Sequence, residues 1–559
     1  MTAVALSFSL CAPVARAEPD MGAYLAARQA EAAHDFAAAA DFFLVGLRAD
    51  PGNAVLLDAA LRAQLALGRI DAAAPLAEQM VALDIDSQAA SLVLMVSDAR
   101  TGRWGDVFDH LAAGHRVSPL VDGLAQGWAH IGQGDMRRAM AAFDQVISVP
   151  EMAIYGLTHK AFALASVGDF EGAAAIFDTD IAGGMRYSRR SAIAHAQVLS
   201  QLGRNADAIA LIDGVFGAQP DAGISALREV LAKGEAVAYD ALRTPAQGLG
   251  DLLHVVASIL DGEASPQFTL LYVQAAAALE PGNAQARLMA ARLLEDLGQH
   301  ELAEKTYRTV AADDPAFAKA EMGRAEVLRS AGKADAAIAV LEELARQFPQ
   351  SAEVFATKGD TLRQSDRFDE ARDAYSRALS LYPEGHQAKW FVLYTRGIAN
   401  HQLDDWPAAE ADFRAALSLR PDQPQVLNYL GYTLVERGEK LDEALGMIEA
   451  AAAARPDNGA IIDSLGWVMF QLGRYPEAVE HLEQAVTLEP VDPVINDHLG
   501  DALWAVGRMT EARFQWQRAL SFDPEPEVAE RIRDKLERGL DLVLIDEGAD
   551  PIRLARGND

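Results

Sequence analysis

Cysteine is almost missing from this chain. The one cysteine in 559 residues is Cys11, near the beginning, so the body holds no disulfide and no thiolate metal site. Basic residues are also short. Lys and Arg total 49 against 81 Asp and Glu, a formal net charge of −32, and such a chain repels nucleic-acid phosphates. The acidic residues are spread rather than massed. The plainer reading is a large solvated surface; attraction of basic partners is the other. Beyond the first residues no apolar run is long enough to span a membrane. Aromatics make up only 7% of a chain that is half hydrophobic, and alanine fills the difference. Alanine is the best helix former and lets helices pack closely, so the composition points to an all-α protein. Catalytic constellations are absent too. His300-Glu301-Leu302-Ala303-Glu304 opens like a zinc-protease motif, but Glu304 stands where the second histidine must be. Asp178-Thr179-Asp180 opens like a calcium loop, but Arg189 stands where a bidentate glutamate is needed. There is no phosphate-binding glycine loop and no nucleophile elbow. No enzyme, metal or cofactor reading has residues to rest on.

What is present begins with a leader. Val4, Ala5, Leu6, Phe8 and Leu10 form a short apolar core, Ala15-Arg16-Ala17 is an A-x-A cleavage signal, and Glu18-Pro19-Asp20 turns polar. The expectation is a secretory signal over 1–17, cleavage after Ala17 and a periplasmic mature chain. No basic residue precedes the core, which allows a start upstream of Met1. Leu10 occupies the position before Cys11 where lipidation needs a small residue. Cleavage is therefore preferred, and association with the outer membrane is left open.

The strongest signal is a ladder of prolines. Pro281, Pro315, Pro349 and Pro383 are 34 residues apart, and Pro421, Pro456, Pro490 and Pro524 follow at steps of 38, 35, 34 and 34. Each closes a helical hairpin, because proline cannot continue the helix before it. Within the unit Gly459 to Asp492, Leu465-Gly466 sit in the first helix, Gly473-Arg474-Tyr475 at the turn, and Ala478, Leu482 and Ala485 in the second helix. Small residues at Gly466 and Ala478 let the two helices approach. The next unit repeats this as Leu499-Gly500, Gly507-Arg508, Ala512, Trp516 and Ala519, with Trp516 assigned to packing. Fainter copies run through Ala39, Phe43 and Pro51; Gly134, Ala139 and Phe143; Gly168, Ala173 and Phe177; and Gly203, Ala208, Ile212 and Pro220. With these residues at this period the chain resembles the tetratricopeptide repeat family.

The resemblance implies an all-α, right-handed superhelical solenoid of about fourteen helical hairpins with a C-terminal capping helix. Degenerate repeats are expected over 18–220, an irregular helical break over 221–249, and regular repeats over 250–524. A capping helix with a loose tail fills 525–559, its apolar face drawn from Val528, Ile532, Leu536 and Leu540. It also implies that the first helix of each hairpin lines a concave binding face. In the last three repeats that face includes Asn428, Tyr429, Tyr432, Asp463, Ser464, Trp467, Phe470, Asp497, His498, Asp501 and Trp504. Aromatics beside carboxylates and amides suit peptide contact. The other reading is that Trp467 and Trp504 only pack between helices. Aspartates stand where the carboxylate-clamp members of the family carry Lys, Arg and Asn, which favours a basic or neutral segment over an anionic C-terminus.

The run Leu427-Asn428-Tyr429-Leu430-Gly431-Tyr432, then Ile462-Asp463-Ser464-Leu465-Gly466-Trp467, then His498-Leu499-Gly500-Asp501-Ala502-Leu503-Trp504 resembles the periplasmic repeat lipoproteins that partner a carboxyl-terminal processing protease. That resemblance implies a non-catalytic adaptor. It would bring the protease to its substrates, notably cell-wall hydrolases, with partner specificity in the worn N-terminal repeats. The alternatives are a structural or assembly part of an envelope secretion or polysaccharide-export complex, and a cytoplasmic adaptor whose start is misread.

Overall fold

A computed structural model describes residues 21–179, 187–217 and 221–552. The leader with Cys11 and Ala17, Asp180, Pro220 and the last seven residues lie outside them. Every regular element among the described residues is helical.

The chain divides into two compact units, 1–340 and 341–559. The first begins with α1 (Met21–Ala32), α2 (Phe36–Ala49), α3 (Ala54–Ala66), α4 (Ile70–Ala82), α5 (Gln88–Thr101) and α6 (Trp104–Ala112). It continues with α7 (Pro119–Gly132), α8 (Met136–Ile147), α9 (Ala153–Ser166), α10 (Phe170–Phe177), α11 (Arg189–Gln201) and α12 (Asn205–Phe216), six hairpins in all. A lone α13 (Ala222–Ala232) is followed by an irregular run to Thr244. Then come α14 (Pro245–Leu260), α15 (Pro266–Leu279), α16 (Ala284–Asp296), α17 (His300–Tyr307) and α18 (Phe317–Ser330). The boundary falls inside α19 (Ala334–Gln347).

The second unit holds α20 (Ala352–Arg363), α21 (Phe368–Leu381), α22 (Lys389–Gln402), α23 (Trp406–Leu419), α24 (Pro424–Glu436) and α25 (Leu441–Ala454). It ends with α26 (Gly459–Gln471), α27 (Tyr475–Leu488), α28 (Pro493–Ala505), α29 (Met509–Ser521), α30 (Pro526–Arg538) and α31 (Leu540–Asp546). The stretch after 540, expected to be loose, thus contains a further helix, with Leu540 and Val543 buried.

The repeat residues act as their types dictate. Gly473, between α26 and α27, has φ +75°, a conformation L side chains resist, and its N–H reaches the Phe470 carbonyl at 2.9 Å. Two residues beyond a proline such as Pro456 or Pro490, Asn458 and Asp492 accept backbone N–H groups at the start of α26 and α28. A Cβ on Gly466 would sit 2.5 Å from Leu482, so only glycine allows that approach of α26 and α27. Gly500 meets the Trp516 indole in the same way. The core of the second unit runs through Phe413, Leu430, Ile448, Leu465, Leu482, Leu499 and the fully buried Trp516.

In the first unit the stack is not open. α14 lies against α5, α7 and α9, and α15 against α3 and α5. All of these are first helices of their hairpins. Gly248 of α14 meets the buried Trp128 indole, Gln274 Nε2 donates to the Ala66 carbonyl at 2.9 Å, and Gln88 Nε2 reaches Tyr272 Oη at 3.2 Å. Arg190 of α11 bonds Glu280 at 2.6 Å and faces Asp251 at 3.5 Å, closing the far side. The row of first helices that a repeat stack would offer to a ligand is covered here by the chain's own hairpin.

Candidate functional site

The open site is in the second unit. A groove of about 320 Å³ is formed by four first helices, α22, α24, α26 and α28. Asn428, Tyr429, Tyr432, Thr433 and Glu436 come from α24, Ala460, Asp463 and Ser464 from α26, and His401 from α22. Asp492, Val494 and Ile495 supply the α28 side. Five of the residues expected from the sequence, Asn428, Tyr429, Tyr432, Asp463 and Ser464, therefore meet in one groove.

Its polar groups differ in how far they are already engaged. Tyr429 Oη is 3.1 Å from His401 Nδ1, and burial raises the phenol's pKa to about 12. Burial, and then the nearby Glu436 and Asp463, raise that of Tyr432. Both rings thus stay neutral hydroxyls. Ser464 donates to the Ala460 carbonyl at 3.0 Å. Asp492 accepts Val494 N at 2.8 Å and Ile495 N at 3.0 Å through one oxygen, Oδ1, as the cap of α28. Asn428 differs from all of these: its Oδ1 is buried and has no hydrogen-bond partner.

Three more expected residues form a stack behind the groove. Trp467 lies 4.0 Å from the His498 ring at 12° and 4.8 Å from Phe470 at 6°. His498 Nδ1 donates to both Asp463 oxygens at 3.0 Å. Burial opposes charge on this imidazole, but Asp463, aided by Asp497 and Asp501, outweighs it and holds the pKa above its ordinary value.

The last three sit elsewhere than a ligand face requires. Lys535 of α30, fully buried, donates to Asp497 at 2.9 and 2.8 Å and to Asp501 at 2.7 and 2.8 Å. Arg531 lies 3.6 Å from Asp501 and 3.9 Å from Asp497. Trp516 Nε1 adds a bond to Asp501 at 2.9 Å, and Trp504 Nε1 donates to Asp541 at 3.0 Å. The chain's own end thus occupies Asp497, Asp501 and Trp504, because an exposed last repeat must be covered and a buried carboxylate pair needs a cation. Sequence reasoning passed over Lys535, and over Glu436 and Val494, which fall on repeat positions where it chose no residue.

No group of three or more His, Cys, Asp or Glu side chains among the described residues could hold a metal ion, and no helix among them is long and apolar enough to cross a membrane. Models of the tetratricopeptide repeat match residues 288–352, 394–459 and 464–525, and a second such model matches 328–389. The C-terminal hairpins are tetratricopeptide repeats. A TPR repeat-containing protein of Pseudomonas aeruginosa is 35% identical over 109 residues, which is 20% of this chain and 18% of that protein. Among solved structures, a tetratricopeptide repeat protein from Parabacteroides merdae is similar at TM-score 0.37 and 18% identity, over 45% of this chain and 97% of that one. Yeast Tom70 is similar at TM-score 0.35 and 12% identity, over 95% and 97%. Tetratricopeptide repeats are generally non-catalytic scaffolds for protein interaction.

Proposed function

We propose that this chain is a non-catalytic, protein-binding scaffold of the bacterial cell envelope that brings a carboxyl-terminal processing protease together with its substrates, cell-wall hydrolases. The observation that carries the binding role is the groove on α22, α24, α26 and α28, where the unpartnered Asn428 Oδ1 and the carboxylates of Glu436 and Asp492 line a cavity of about 320 Å³. Asn428 Oδ1 is the one of fifteen such unpartnered atoms among the described residues that belongs to a groove-lining side chain, and a partner's backbone would satisfy it. The protease role rests on the resemblance of the run from Leu427 to Trp504. The leader-like 1–17 supports a periplasmic site of action. The mechanism is effective concentration: protease and substrate held on one chain meet far more often than in solution.

The test is reconstitution. Turnover of a purified cell-wall hydrolase by the processing protease is measured with and without this protein, and with an Ala460→Trp variant that fills the groove from an exposed position. The reading expects cleavage to accelerate at least tenfold with the wild type and to fall back with the variant. No acceleration with any periplasmic hydrolase, together with stoichiometric co-purification in a membrane complex, would replace it with a structural role in secretion or polysaccharide export.

A further inference from the structure

We infer that the groove between α22 and α28 reads a cationic side chain, Lys or Arg, carried within an internal extended segment of the partner, and not a terminal carboxylate. The inference rests on the reading above that this groove binds a partner segment, and it names that segment's chemistry.

Charge gives the first argument. Three carboxylates, Glu436, Asp463 and Asp492, line the groove, and neither Lys nor Arg is among its lining residues. Asp463 is already taken by the His498 N–H. Glu436 takes the Tyr432 hydroxyl but is exposed, so its carboxylate keeps acceptor capacity toward solvent, and the second oxygen of Asp492 is left over from capping α28. An incoming anion would meet Glu436 and Asp492 with no Lys or Arg in the lining to pair with, whereas an ammonium or guanidinium would find two acceptors at the rim.

The floor gives the second argument. Val494 is 42% exposed at the lip, beside Ile495, Ala460 and the Tyr429 and Tyr432 rings. Such a surface takes the aliphatic stem of a lysine or arginine while the charged head stays at the rim. The buried Asn428 Oδ1 then accepts one N–H from the partner's backbone.

The third argument is the behaviour of the same unit at its own end. Lys535 enters the last repeat and is held by Asp497 and Asp501 through four contacts of 2.7 to 2.9 Å. Asp497 stands one 34-residue repeat after Asp463. This row of first helices already accepts an ammonium where the chain supplies one; a repeat earlier Asp463 is met by the His498 N–H instead, and Glu436 and Asp492 have no Lys or Arg beside them in the groove.

The experiment is selection of phage-displayed random dodecapeptides on the immobilised full chain. The hits are then synthesised with acetylated and amidated ends and titrated calorimetrically against wild type, Glu436→Lys, Glu436→Gln and Ala460→Trp. The expected result is one fixed Lys or Arg among the hits. Affinity should fall at least tenfold with Glu436→Lys or with Glu in place of the peptide's cation, less with Glu436→Gln, and below detection with Ala460→Trp. If Ala460→Trp abolishes binding but the hits carry no basic residue, or need a free carboxyl end, the cation inference falls while the groove stands. If Ala460→Trp leaves binding intact, the groove reading falls with it.

Discussion

Lys535 shows what one residue can hold together. Its ammonium is fully buried between two buried aspartates, so removing it alone leaves two carboxylates with only the more distant Arg531 as counter-charge. Lys535→Met should destabilise the second unit by about 3–5 kcal/mol. Lys535→Met with Asp497→Leu and Asp501→Leu should recover most of that, since an apolar trio of similar volume needs no cation. Chemical denaturation of the three proteins checks both statements. His498 gives a second residue-scale expectation, with the opposite partnership. Its pKa is raised in the folded protein, so the stability it adds is fully present below its unfolded pKa, about 6.5, and is lost as pH rises through the higher folded value. Denaturation midpoints should therefore decline above about pH 6.5, and His498→Gln should flatten that decline. At the turn, Gly473→Ala forces a Cβ into φ +75° and should cost about 1–2 kcal/mol.

At the scale of elements, the sequence is most legible where contacts are nearest-neighbour. The proline ladder, the turn glycines and the Gly466 and Ala478 approach all describe one helix against the next, and the hairpins from α16 to α29 follow that pattern. The hairpin α14–α15 follows a different rule. Its partners α3, α5, α7 and α9 lie far off in the chain, as far as the 208 residues between Gln274 and Ala66, and a repeat period carries no information about closure over such a distance. Gly248 falls in the stretch 221–249 where the repeat pattern lapses, yet it is a helical glycine in contact with Trp128. Lys535 was hidden differently. It lies three residues after Ile532 and beside Leu536 on the apolar face of α30, and a charge inside such a face signals a buried partner. The prediction at this scale is that Gly248→Leu, which drives a side chain into the Trp128 indole, costs about 1–3 kcal/mol. Hydrogen exchange should show lost protection in α14, α15 and the first helices α5 and α7 that they cover.

For the whole molecule, the arrangement concentrates binding. The first helices α3, α5, α7 and α9 are covered by α14 and α15, and the final repeat is covered by α30, whereas neither covers the groove from His401 to Ile495. Such covering also sets how the chain comes apart. Long repeat arrays lose two-state behaviour, and stability spreads over neighbouring interfaces. Of the seven tryptophans, Trp104 and Trp128 lie in the first unit, while Trp390, Trp406, Trp467, Trp504 and Trp516 lie in the second. Tryptophan fluorescence therefore weights the second unit, whereas far-ultraviolet circular dichroism weights all helices alike. Urea unfolding should give midpoints that differ between the two probes. Lys535→Met should move the fluorescence midpoint to lower urea and leave one part of the dichroism transition where it was. A single transition, coincident by both probes and shifted as a whole by Lys535→Met, would mean that the two units unfold as one cooperative body. The buried ion group at the C-terminus would then stabilise the covered first unit as well as the repeats it caps.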